Sequence, residues 1–120
     1  METRKDYFFI KHHSGMLKVK LADILFAEGL KNYVKIHTTH GVHVALTSMK
    51  ELEAFLPGEH FMRIHKSYIV SVDKIDRLSR TEVCFGGLQC LPVGETFRQR
   101  LGVFVAEHLI PAVSWLAEKP

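Results

Sequence analysis

One lysine constrains this chain more than any other residue. Over residues 61–70 the side chains alternate as an extended strand requires, with Met62, Ile64, Tyr68 and Val70 sharing one face, yet Lys66 falls in the middle of that apolar row. An unpaired ammonium in a core costs on the order of several kcal/mol. The chain is therefore expected to bend at His65-Lys66-Ser67, leaving two short strands with a basic, hydrogen-bonding corner between them in solvent.

Short extended segments dominate the rest. Residues 7–12 and 16–21 alternate on either side of His13-Ser14-Gly15 and predict an opening hairpin, and residues 24–27 form a continuous apolar run of strand length. Residues 33–38 and 42–46 follow, with a turn expected at His40-Gly41. Ser48-Met49-Lys50-Glu51 has the form of a capping box, in which the serine hydroxyl accepts from the Glu51 N–H and the carboxylate reaches back to the start of the helix. Met49, Leu52, Phe55 and Leu56 then recur at helical spacing until Pro57-Gly58. Strands are expected over residues 74–78, 82–85 and 88–93. From Thr96 onward Phe97, Leu101, Phe104 and Val105 resume a helical pattern that ends near Pro111, with one more turn over 112–117. The fold class is mainly β, antiparallel, with one short internal helix and a C-terminal helix.

A length of 120 residues at 47% hydrophobic content suits one domain and is short for two. The expected organisation is a single domain over 1–120, with a core at about 7–105 and a helical extension at 106–120. Trp115 in that extension either packs on the domain or marks a dimer contact. No apolar run approaches the roughly 20 residues that cross a bilayer, and the first residues lack the apolar segment of a signal peptide. The expectation is a cytoplasmic protein that does not enter membranes.

Eight histidines and two cysteines raise the question of metal. On a hairpin turning at His40-Gly41, His37 would oppose Val44 and His43 would oppose Thr38, which puts the two imidazoles on opposite faces. If Gly86-Gly87 is a two-residue turn, Cys84 faces Gln89 and Val83 faces Cys90, so the thiols also point apart and no disulfide is expected. Neither CxxC nor HExxH occurs, and there is no phosphate loop, nucleophile elbow or paired-acid arrangement. The expectation is no metal, no cofactor and no catalytic residues.

A formal charge of +3 permits nucleic-acid binding without demanding it. Three places could supply the chemistry. Arg63, His65, Lys66 and Ser67 offer positive charge for phosphates and hydrogen-bonding tips for base edges, although Arg63 could instead pair with a surface acid while His65 packs against the sheet. Lys31, Asn32 and Tyr33 form a second loop, where Asn32 could read adenine or merely stabilise a turn. Gly94-Glu95-Thr96 leads into Phe97-Arg98, a helix start with unpaired N–H groups, with Thr96 placed to cap it. Glu95 could accept from cytosine or serve as a helix-start acid.

The pattern Phe61-x-Arg63-x-His65-x-Ser67-Tyr68-x-Val70 resembles the central signature of the LytTR family, the DNA-binding output domain of bacterial response regulators. Asp23-Ile24-Leu25-Phe26-Ala27-Glu28-Gly29 with Asn32-Tyr33-Val34 precedes it, and Leu91-Pro92-Val93 with Phe97-Arg98 follows, all in the family's order. The resemblance implies an elongated, mostly antiparallel β fold whose loops enter successive major grooves of double-stranded DNA in a transcription regulator. It implies Lys31, Asn32, Tyr33, His65, Lys66 and Glu95 at bases, and Arg63, Ser67, Thr96 and Arg98 at phosphates. Family members usually carry a serine and a basic residue where Gly94 and Glu95 stand here. The family also implies pairing on repeated sites as a homodimer, and a receiver domain elsewhere in a longer parent chain. None is present in these 120 residues, so an excised output domain and a stand-alone member are both open. The rival reading is a β-rich protein-interaction module whose basic corner meets an acidic partner.

Overall fold

A computed structural model describes residues 6–87 and 89–111. Trp115 and the turn expected over 112–117 lie outside these residues. The chain forms β1 (Tyr7–His12), β2 (Gly15–Lys20), β3 (Ile24–Gly29), β4 (Val34–Thr38), β5 (Gly41–Ala45), α1 (Met49–Phe55), β6 (Phe61–His65), β7 (Tyr68–Ser71), β8 (Ile75–Leu78), β9 (Glu82–Phe85), β10 (Cys90–Pro92) and α2 (Arg98–His108). Single 3-10 turns occupy Leu21–Asp23, Val72–Lys74 and Glu95–Phe97. Every strand pairing is antiparallel, and the body measures 62 × 37 × 26 Å. Among the described residues no helix is long and apolar enough to cross a membrane.

A five-stranded sheet in the order β5-β4-β3-β7-β6 is the centre of the molecule, between the β1-β2 ribbon and a β10-β9-β8 sheet. Its two faces bury separate cores. Phe8, Ile10 and Val19 of the ribbon and Leu52 of α1 pack on Ile24, Ala27, Val34, Ile36 and Ile69. On the other face Val83, Phe85, Leu91, Val93 and Leu101 pack on Phe26, Met62, Ile64 and Val70. Ile24 and Phe26 would share a face in a regular strand, since side chains alternate. A bulge between them sends Phe26 to the opposite core. The row Met62, Ile64, Tyr68 and Val70 lies against a single core, as its alternation requires.

Ser48 caps α1 by accepting from the Glu51 N–H at 3.0 Å. The return half of the expected box takes a different form: the Glu51 carboxylate accepts from the hydroxyls of Thr47 and Ser48 at 3.3 and 3.4 Å. Thr96 does not cap α2. A 3-10 turn intervenes, and the helix starts after Phe97 with no side-chain cap.

Two hairpins differ in register from expectation. Thr38 pairs with Gly41, so the turn falls at Thr39-His40, fixed by the Thr38 hydroxyl donating to the Gly41 carbonyl and accepting from the His40 N–H. His37 consequently opposes Val42 and His43 opposes Ile36, which still leaves the two imidazoles on opposite faces. The second difference overturns the reading of the cysteines. The Phe85 N–H donates to Gln89 O across a three-residue loop in which Gly87 takes φ +93°. That loop shifts the pairing by one residue, Cys84 opposes Cys90, and the two are joined in a disulfide with an S–S length of 2.05 Å. Glu82, Cys84 and Cys90 bring ligand atoms within 4.8 Å of one another, with the two sulfurs already bonded together.

Candidate nucleic-acid interface

The bend at Lys66 is real and tightly built. β6 ends at His65, β7 starts at Tyr68, and Lys66 is exposed between them. A bulge between Arg63 and His65 puts Ile64 and His65 out of simple alternation, so His65 pairs with Tyr68 and their rings lie 5.3 Å apart. The Ser67 N–H donates to His65 Nδ1 at 3.0 Å. Nδ1 is therefore the acceptor, which leaves the ring proton of a neutral imidazole on Nε2. Arg63 donates from Nε to His65 O at 3.2 Å and from Nη2 to Lys66 O, while its Nη1 meets Glu53 Oε1 at 3.0 Å.

The other two candidate segments are hydrogen-bonded onto this turn, one from each side. The Gly29 N–H donates to Ser67 O at 2.8 Å, and the next loop closes with Leu30 N–H donating to Tyr33 O at 2.8 Å. Lys31 and Asn32 are exposed at its tip, and Tyr33 is half-buried. A side chain on Gly29 would collide with Met49 Cγ at the start of α1, so any other residue here requires that side chain to move. On the opposite side the Gly94 N–H donates to Ile64 O at 2.8 Å. A Cβ on Gly94 would stand 3.2 Å from Phe97 Cδ2, so that ring would have to give by a few tenths of an ångström, and 3.5 Å from His65 Cα, an ordinary contact.

Lys31, Lys66 and Glu95 thus lie on one end of the five-stranded sheet, each within two residues of a backbone bond that ties its segment to the central turn. Among the described residues the side chains of Lys31, Asn32, Lys66, Ser67, Glu95 and Thr96 make no hydrogen bond or ion pair, so their polar tips remain available. Arg98 at the start of α2 is half-buried, and its Nε has no partner. The arrangement presents cations, an amide and hydroxyls on stiff loops whose ordering cost is met by the fold, as loop-borne recognition needs. Arg63 is different. Its guanidinium is turned into the protein, its side chain is 17% exposed, and the acid-pairing alternative weighed for it from the sequence is the arrangement found.

Sequence reasoning missed the residues that organise this end. Glu53 bridges Arg63 and, at 3.5 Å, Arg100 of α2, and Phe97 has both guanidiniums near its ring at 6.0 and 5.5 Å. No local pattern announces contacts that join α1, β6 and α2. Two of the histidines outside the interface have structural partners: His37 stacks on Phe26 at 4.2 Å and reaches Glu28 at 3.1 Å, and His40 lies 3.5 Å from Asp23.

Residues 14–103 match the family model described as the LytTr DNA-binding domain. The chain is 30% identical over 76 residues to the CO-responsive transcriptional regulator RcoM of Rhodospirillum rubrum, covering 63% of this chain and 31% of that protein. It is 32% identical over 73 residues to an uncharacterized response regulatory protein of Vibrio cholerae, covering 58% of this chain and 27% of that protein. These matched regions amount to less than a third of either relative's length. A solved LytTr DNA-binding domain of a Bacillus cereus response regulator has the same fold, with a TM-score of 0.74 at 19% identity, covering 85% of this chain and 98% of that one.

Proposed function

The chain belongs to the LytTR family of DNA-binding domains, and from that premise we propose that it is the sequence-reading unit of a bacterial transcription regulator, binding double-stranded DNA through loops at one end of its central sheet. The observation that carries the reading is the pair of backbone hydrogen bonds, Gly29 N–H to Ser67 O and Gly94 N–H to Ile64 O, that gather the three candidate segments on a single end. Lys31, Asn32, Tyr33, His65, Lys66 and Glu95 face base edges. Ser67, Thr96 and Arg98 meet phosphates. His65 offers its Nε2–H to an acceptor such as guanine O6 or N7, and Lys66, free of internal partners, can do the same.

Signal reception belongs to other parts of such regulators, consistent with the matched regions spanning under a third of the two relatives. A receiver in a longer parent and pairing of two copies on repeated sites are part of the proposal. Linking two modules would make the second contact effectively intramolecular and raise a weak monomer affinity by about 100-fold or more.

Selection from a random duplex pool at fixed salt tests the function. Enrichment of a defined motif is expected. Equal binding to all duplexes, together with tight capture of an acidic polypeptide, would favour the protein-interaction module instead, since both bind through charge but only a DNA reader distinguishes sequences.

A further inference from the structure

Arg63 was expected at a phosphate, but its surroundings assign it another task. Resting on the DNA-reading proposal, we infer that Arg63 is a positioning residue that sets the aim of Lys66 and does not itself contact DNA, with Glu53 as its counter-charge. All three guanidinium nitrogens are engaged: Nε with His65 O, Nη2 with Lys66 O and Nη1 with Glu53. These bonds use three of its five N–H donors, and with the side chain only 17% exposed the guanidinium is committed to the turn and to Glu53 rather than presented to a duplex.

Those two carbonyls are the ones that matter for Lys66. His65 O belongs to the peptide before the Lys66 Cα and Lys66 O to the peptide after it, so Arg63 fixes the planes on both sides. The second peptide is also held at its other end, where Ser67 N–H donates to His65 Nδ1 at 3.0 Å. With both flanking planes fixed, the Cα–Cβ direction of Lys66 is fixed as well. Ser67 O then accepts from Gly29, which ties the same turn to the loop carrying Lys31 and Asn32.

Glu53 and Phe97 keep the guanidinium in this pose. Glu53 on α1 accepts from Arg63 and Arg100, and the Phe97 ring lies 6.0 Å from the Arg63 guanidinium. The planar fork is essential to the task. A lysine at position 63 keeps the charge yet cannot place three donors on three separate acceptors in these directions.

The experiment compares R63K, R63Q and E53Q with the unmodified chain, using the duplex selected from the pool and single-base variants of it over a range of salt. Positioning predicts that R63K and R63Q lose discrimination alike, roughly tenfold to a hundredfold, while the slope of log K against log salt stays as in the parent. E53Q, whose substitution is on a partly exposed helix face, should lose part of the same discrimination, non-additively with R63K. A phosphate contact predicts the reverse: full rescue by R63K, and for R63Q a uniform loss with a slope shallower by about 0.9. That result overturns the inference. Amide exchange at Ser67 is read on the free proteins, so it is independent of DNA. Faster exchange in R63K and E53Q is expected, and unchanged exchange in both would refute the positioning role even if the unmodified chain selected no duplex, an outcome that would separately sink the DNA-reading proposal.

Discussion

Reduction of the Cys84–Cys90 disulfide should destabilise the domain by an amount its loop length sets. The cysteines are 6 residues apart, and closing a loop of about seven residues in the unfolded chain removes entropy worth roughly 2 kcal/mol at 25 °C. For a domain of this size that corresponds to a fall in Tm of roughly 6–12 °C. Reduction is a cleaner perturbation than substitution, because Cys84 is 1% exposed and a serine there would add a buried hydroxyl. Thermal melts with and without dithiothreitol give the difference, with alkylation and mass spectrometry confirming two free thiols. The effect should extend to the interface. β10 ends at Pro92, and Val93 leads directly to Gly94, whose N–H holds the third segment against Ile64. Loss of the cross-link should therefore speed amide exchange at Gly94 more than at Gly29, which is tied through β3 and β7. An unchanged Tm with both thiols demonstrably free would refute the reasoning.

Two further perturbations separate recognition from stability. Lys66→Ala should leave the melting temperature within about 1–3 °C of the parent, because the exposed ammonium has no internal partner to lose, yet cost about 1–3 kcal/mol at one position of the selected duplex. A loss spread evenly over all duplexes would demote Lys66 to a phosphate contact. Ser48→Ala removes the acceptor for Glu51 N–H and should cost about 1 kcal/mol in denaturant unfolding, with DNA discrimination unchanged.

Much of this architecture could be read where one residue was incompatible with the simplest alternative. Lys66 could not remain in an apolar row, and that alone located the turn between β6 and β7. The capping serine and the spacing of Met49 and Leu52 located α1 for an equally local reason. Register was less legible, because Gly86-Gly87 suits a two-residue or a three-residue loop equally well, and the one-residue difference decides whether Cys84 meets Gln89 or Cys90. At the His40 hairpin the deciding contacts were hydrogen bonds of the Thr38 side chain, which spacing does not reveal. The bulges at Leu25 and Ile64 were invisible for the same reason: each depends on what the opposing strand and the two cores demand. In the interface the exposed candidates could be identified by their chemistry. The inward turn of Arg63 could not, since it is set by Glu53 on another element.

The convergence of three segments on one end of the sheet is tested most directly by mapping backbone amide shifts of the labelled chain as the selected duplex is added. Lys31 and Asn32, Lys66 and Ser67, and Glu95 and Thr96 should shift together at one stoichiometry. Shifts concentrated instead around Lys18, Lys20 and His43, near the opposite end of the sheet, would contradict it.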